Sequence, residues 1–478
     1  MDNQKFAGRV TLLVLVNLLV KLVWILFIER KVQTSVGFQS FGLYYSVFNF
    51  TLILGVINDP GLNNYLIQYL SKEKKRPQYI SDLFSVKIIL AVLYTIITLI
   101  SAWLLGLTDE NLLGLLVIYQ ILFSFLNYLR GFLKGNQLLK AEIFLSVLDK
   151  CLIIVALLPI LYLNTGFKWT IQFYILAQML ALLIAIAWCF YYLYLKKISI
   201  LPSKKIRLNF SIIQRIAPFA LFAFLVLAYN KIDTVMLVKM LPNGDMESGI
   251  YVAAYRFLDA ASMLPILFAT LFYPVLCKLI GEDSKVERLM NDSVFTLIPT
   301  TLIIAMVSWF YRNELMELLY PENSSQKLSI IFGVLMFCLP LVVIYYVYST
   351  YFTANNNLKL LNLVSAGGLI TNIALNTVLI PTYQALGAAF SSFISFLLVG
   401  LTYLLLYHQQ FKKPFRHLLW FKLLLFIGLL IVLGYLTPYA FDNWMLSIAI
   451  YTLMSTAIAM CLGFFKLSGL RTAIVQKL

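Results

Sequence analysis

Lys21, Lys150, Lys231 and Arg256 each stand inside a long apolar run, in a chain otherwise suited to dissolving in lipid. An ionised side chain at the bilayer centre costs about 2.5–3.5 kcal/mol on insertion scales. Four of them facing lipid would cost roughly 10–14 kcal/mol together, comparable to the whole stability of a domain. Each therefore needs a wet cavity, a carboxylate or a bound anion. Cations collected inside a membrane protein offer the chemistry for holding something negative. The acids nearest to the last three in sequence, Asp149, Asp233 and Asp259, offer a second chemistry, coupling to protons or sodium.

The spacings separate these residues. Lys21 lies about midway between Arg9 and Arg30, too deep for its stem to reach either interface readily. A salt bridge to another helix is the plain alternative to a cavity-lining role there. Lys150 follows Asp149 directly, and neighbours on a helix point about 100° apart, so the two do not face each other, although partial neutralisation stays open. Lys231 and Asp233 are two apart and point to nearly opposite sides, so both need separate partners. Arg256 and Asp259 are three apart and can meet on one face as a local ion pair. Lys87, about two turns from the inner end of its span, is expected to snorkel. Asp59-Pro60-Gly61 interrupts the second apolar run and Pro265 falls in the eighth. Proline removes a donor and bends a helix, so these positions are either hinges or packing features, and both readings stay open. Asn49, Asn127, Gln178, Asn230, Asn372 and Asn376 lie at membrane depth, where hydrogen bonding between helices is their default role.

The elements that must position these groups are transmembrane helices. The chain has 478 residues, 61% hydrophobic and only 12% charged. Apolar stretches long enough to cross ~30 Å of hydrocarbon recur from end to end. A transmembrane β-barrel is excluded, because its strands would alternate apolar and polar residues. The fold class is an all-α integral membrane protein of about fourteen transmembrane helices, the first at 9–30 and the second at 40–70. The net charge of +16 is distributed by side, with 26 Lys and Arg in inner segments and six in outer ones. By the positive-inside rule that asymmetry places both termini in the cytoplasm. The excess charge is thus a topology signal, and no nucleic-acid partner is expected.

Other classes fall away. There is no G-x-x-x-x-G-K-[ST] phosphate loop, no H-E-x-x-H pair, and the two histidines, His408 and His417, share one cytoplasmic loop. Cys151, Cys189, Cys277, Cys338 and Cys461 lack metal or redox spacing and read as packing residues. No cofactor or metal is expected, nor an enzyme. No cleavable signal peptide is expected, since the first apolar run is too long and lacks a small-x-small site.

The basic stretch from Lys196 to Arg215 separates six spans from eight, giving two six-helix units that run in the same direction. The expected domains are 1–200, 201–407 and an appended helix pair at 408–478. A weak internal repeat supports the division. FGLYYSVFNF (41–50) and SGIYVAAYRF (248–257) align Gly42 with Gly249, Tyr44 with Tyr251 and Phe50 with Phe257 at an offset of 207. GNQLLKAE (135–142) and NNNLKL (355–360) form a second match.

Several segments together carry a family likeness. They are Phe41-Gly42-Leu43-Tyr44 with Asp59-Pro60-Gly61-Leu62, Asn230-Lys231-Ile232-Asp233, and Gly249-Ile250-Tyr251 through Arg256. Phe272-Tyr273-Pro274, Asn372 to Asn376, Ile380-Pro381 and Gly387-Ala388-Ala389 complete the set. In these the chain resembles the Wzx-like oligosaccharide flippases, the polysaccharide transporter branch of the multidrug/oligosaccharidyl-lipid/polysaccharide exporter superfamily. The resemblance implies two parallel-repeat six-helix bundles around a central cavity, plus the C-terminal helix pair. It also implies movement of undecaprenyl-pyrophosphate-linked oligosaccharide, such as an O-antigen or capsule repeat unit, across a bacterial inner membrane by alternating access. Partners would be the polyprenyl-pyrophosphate-linked glycan, membrane lipids, and a glycan polymerase or other assembly proteins. Lys21, Lys231 and Arg256 fall in spans where the family carries cavity cations, although lysine lacks the bidentate fork of arginine. Two rivals remain: a cation-coupled drug or metabolite exporter, which would favour an acidic cavity, and a membrane glycan polymerase or ligase. For the latter, the outer loop at 311–327 is thin.

Overall fold

The computed structural model describes residues 16–17, 19–71, 77–107, 109–163, 168–198, 210–411 and 417–464, which contain helices and no strand. A π-helical stretch, Trp24–Glu29, runs into α1 (Arg30–Val36), followed by α2 (Phe38–Leu54), α3 (Leu62–Leu70), α4 (Pro77–Leu104) and α5 (Glu110–Gly135). Next come α6 (Leu139–Tyr162), α7 (Ile171–Leu195), α8 (Phe210–Met240), α9 (Gly244–Ala261) and α10 (Met263–Leu279). The chain continues through α11 (Asp283–Phe310), α12 (Arg312–Leu319), α13 (Gln326–Met336), α14 (Cys338–Ala354), α15 (Leu358–Tyr383) and α16 (Ala385–Phe411). It closes with α17 (His417–Ala440) and α18 (Trp444–Cys461).

Among the described residues, twelve helices are long and apolar enough to cross a membrane. Helix is the required form, because hydrocarbon offers backbone groups no partner. Side-chain caps finish several ends: Asp109 accepts from Leu112 N–H, Thr170 from Phe173 N–H, and Ser325 from Leu328 N–H. The lipid-suited faces are plain in α4, where Val92, Ile96, Ile100 and Trp103 recur at helical spacing and are all exposed. The second expected span is in two pieces, α2 and α3, and the first begins within residues 1–15, outside the described set.

The chain forms two compact units, one of Met1–Val238 with Gly244–Gly249, the other of Lys239–Asn243 with Ile250–Leu478. The divide expected at 200/201 lies within 199–209, outside the described residues. In the first unit α5 is the central packing element, lying against α2, α3, α6 and α7. Its Tyr128, Leu129, Phe132 and Leu133 are buried against Leu62, Leu66 and Leu70 of α3 and Leu182, Ala185 and Cys189 of α7. The start of α9 joins this unit through a glycine crossing with α2. A Cβ on Gly42 would lie 1.9 Å from the Asp245 carbonyl oxygen and 2.4 Å from Gly249 N. One on Gly249 would lie 2.0 Å from the Phe38 carbonyl oxygen. The offset of 207 that aligns Gly42 with Gly249 also aligns Phe38 with Asp245, so the two contacts are counterparts. Only glycine permits that approach. Ser248 Oγ donates to Gly42 O at 3.1 Å, Gln33 Nε2 to Gly249 O at 2.9 Å, and Asn49 Nδ2 to Thr234 Oγ1 at 2.9 Å.

The second unit centres on α14 and α16. A row of tyrosines joins them, with ring centroids 5.0 Å apart for Tyr348 and Tyr407 and 6.0 Å apart for Tyr345 and Tyr403. The C-terminal pair packs on α11. Tyr311, just past the end of α11, shares hydrogen bonds with Thr437 Oγ1 at 2.8 Å and Ser447 Oγ at 2.5 Å. One hydroxyl thereby fastens both helices of the pair.

Candidate functional site

The break in the second span shows how local sequence positions side chains here. After α2, single tight turns carry the chain through Gly55–Asn58, and Gly61 then takes a left-handed conformation at φ +103° that favours glycine. Asp59 Oδ1 accepts from Gly61 N at 3.3 Å and Asn63 N at 3.2 Å, satisfying donors at the start of α3. Pro60 needs no donor there. Pro265 has a matching excuse in the second unit. It lies in the first turn of α10, just after Ser262, where the backbone N–H would have no helical acceptor.

Lys87 corrects the expectation that it snorkels. Its side chain is buried, 1% exposed, and its ammonium donates to Asn58 O at 2.7 Å, to Asn58 Oδ1 at 3.3 Å and to Ser124 Oγ. The stem turns inward because the carbonyl end of α2 lies beside it, a neighbour that position along α4 does not disclose.

Lys150 behaves differently. Its side chain is 27% exposed, and its Nζ stands 3.3 Å from Asp149 Oδ2. The two adjacent residues do meet, because the lysine stem is long enough to fold back to the neighbouring carboxylate. The same ammonium stands 4.9 Å from the centroid of Trp24, a cation–π contact. Trp24 stacks on Tyr174 at 6.0 Å, and Tyr174 meets Tyr44 edge-on at 5.9 Å. One turn back along α6, Ser146 Oγ accepts from Asn17 Nδ2 at 2.9 Å. Asn17 and Trp24 bracket Lys21, and both touch the Ser146–Lys150 face of α6. Lys21 is therefore on the stretch of the first span that lies along α6, and its side chain is exposed. Asp149 and Lys150 form a polar face on α6, and Lys21 stands on the stretch of the first span beside it. The π-helical widening begins at Trp24, a distortion that often accompanies functional positions.

The remaining charges stand elsewhere. On α8, Asp233 is 2% exposed and Lys231 is half-buried. In the second unit Arg256 Nη1 lies 3.2 Å from Asp259 Oδ2, with side chains 14% and 21% exposed. Tyr320 and Tyr346 stand close enough to act on that pair electrostatically. At the end of α5, Arg130 and Lys134 converge on the buried Glu142 of α6 at 3.0 and 3.5 Å. Among the described residues no group of His, Cys, Asp and Glu could hold a metal ion.

The aromatic wall of Trp24, Tyr44 and Tyr174 was not anticipated from sequence. With 15% aromatic residues throughout, nothing in their spacing marks these three.

The family model for "Polysaccharide biosynthesis protein" matches residues 7–280. Among solved structures, the fold is similar to that of the lipid II flippase MurJ in an inward closed conformation. The TM-score is 0.65 at 16% identity, covering 96% of this chain and 97% of that one. It is also similar to an inward-facing multidrug resistance MATE family transporter of the MOP superfamily, with a TM-score of 0.59 at 15% identity, covering 83% of this chain and 99% of that one. A MOP superfamily transporter from Pyrococcus furiosus gives 0.60 at 17% identity over 84% and 96%. No curated protein matches the chain in sequence.

Proposed function

Since the chain belongs to the polysaccharide biosynthesis protein family, we propose that it flips a polyprenyl-pyrophosphate-linked oligosaccharide from the inner to the outer leaflet of a bacterial cytoplasmic membrane. The observation that carries this reading is the polar face on α6, where the part-exposed Lys150 stands 3.3 Å from Asp149, with the exposed Lys21 on the neighbouring stretch of the first span. A diphosphate crossing a low-dielectric region needs fixed positive charge to offset its lost hydration. Asp149 holds Lys150 in place when no headgroup is bound, and a diphosphate of higher charge competes for the ammonium. Arg256 with Asp259 offers a second cationic position, and Lys231 a third.

Alternating access gives the route of transport. The glycine crossing of α2 and α9 lies at the ends that the positive-inside rule assigns to the outer face. It holds the start of α9 to the first unit, and bends near Pro60–Gly61 and Pro265 absorb part of the motion. The reading is supported by the likeness to MurJ, a lipid II flippase.

Reconstitution into vesicles with a fluorescent undecaprenyl-pyrophosphate glycan tests the proposal. Wild-type protein moves the probe across the bilayer, and Lys150→Met and Lys21→Ala slow it. Transport equal to protein-free vesicles overturns the proposal. A second reading, cation-coupled export of drugs or metabolites, draws on the likeness to a MATE transporter and on the buried Asp233. It predicts uptake of organic cations by inverted vesicles and no glycan-lipid movement.

A further inference from the structure

Lys87 is the one lysine or arginine in the buried class among the described residues. The transport reading makes no use of it. Its surroundings are those of a cation site. The three acceptors of its ammonium are a backbone carbonyl, a side-chain amide oxygen and a hydroxyl, so every donor of the ammonium is used. These oxygens come from two segments, the turns that follow α2 and the middle of α5, while the lysine itself comes from α4. The backbone oxygen belongs to the carboxyl end of an interrupted helix, which carries partial negative charge. Asp59, next to Asn58, acts electrostatically on the ammonium. Tyr128, fully buried, feels the same carboxylate and has a hydroxyl with no protein partner. Oxygen ligands of this kind, at an unwound stretch of a transmembrane helix, are how secondary transporters coordinate sodium.

We infer that the ammonium of Lys87 is a tethered cation filling a monovalent-cation site at the break of the second span, so that this break is held by the chain's own charge and not by an exchangeable ion. The inference rests on geometry within the first unit and is independent of the flippase proposal. Its consequence is specific. Removing the ammonium while keeping the oxygens should uncover a site for sodium.

The test is thermal unfolding of purified protein in sodium chloride against choline chloride at matched ionic strength, for wild type and Lys87→Ala. Wild-type Tm should be the same in both salts. Lys87→Ala should unfold at lower temperature in choline and recover in sodium along a saturable curve, because a ligand that binds only the folded state raises its stability by mass action. Folded Lys87→Ala recovered only when sodium is present throughout extraction supports the inference equally. A variant that sodium neither stabilises nor recovers overturns it. So does wild-type protein stabilised by sodium along the same saturable curve as the variant. Adding Ser124→Ala to Lys87→Ala should weaken the sodium response, and an unchanged response places the sodium elsewhere and overturns the assignment.

Discussion

The break of the second span and the Lys150 face of α6 both hold a lysine within the first unit. At the break, three oxygens and full burial consume the charge of Lys87. On α6, Lys150 has one adjacent carboxylate, an aromatic ring and continuing exposure. What lies around each ammonium separates the two. A cation whose donors are all used is part of the scaffold. A cation with exposure left is available to a ligand.

Stability experiments should split the two most widely. Lys87→Met strands the two buried oxygens of Asn58, each costing about 1–3 kcal/mol when left without a partner, and the part-buried Ser124 hydroxyl, so a loss of about 2 kcal/mol or more is expected from denaturation midpoints. Lys150→Met alone strips the buried Asp149 of its ion pair, so the matched variant is Lys150→Met with Asp149→Asn, which leaves no unpaired charge and should cost less than about 1 kcal/mol. Equal losses would erase the distinction. Gly42→Ala serves as a control that touches neither lysine. Its Cβ would meet backbone oxygen at 1.9 Å, which no rotamer relieves, and overpacking of this kind costs about 1–3 kcal/mol. Transport should order the variants differently, with Lys150→Met slowing glycan-lipid movement by roughly tenfold, the equivalent of about 1.4 kcal/mol. Smallest of all, Asp149→Asn should leave the fold intact and tighten binding of a lipid diphosphate by roughly threefold, since Lys150 no longer shares its charge. Weaker binding in that variant would argue that Asp149 positions Lys150 for the headgroup.

The helical membrane fold was legible because hydropathy acts over whole spans and survives any detail of packing. The interruption at Asp59-Pro60-Gly61 was legible for the same kind of reason, since proline and a positive-φ glycine act locally. Arg256 and Asp259 were legible as a pair from their spacing, and stand 3.2 Å apart. Lys87 was not, because its acceptors come from residues 29 and 37 positions away in sequence. The neighbours of Lys150 were hidden similarly: Trp24 reaches it from the first span, and a helical wheel of α6 alone does not contain it.

The most direct test of the cationic face is binding of undecaprenyl pyrophosphate to purified protein in lipid nanodiscs, comparing wild type with Lys150→Met. The account predicts saturable binding by wild type, weakened by roughly tenfold in the folded variant. Binding of equal affinity by both would contradict it.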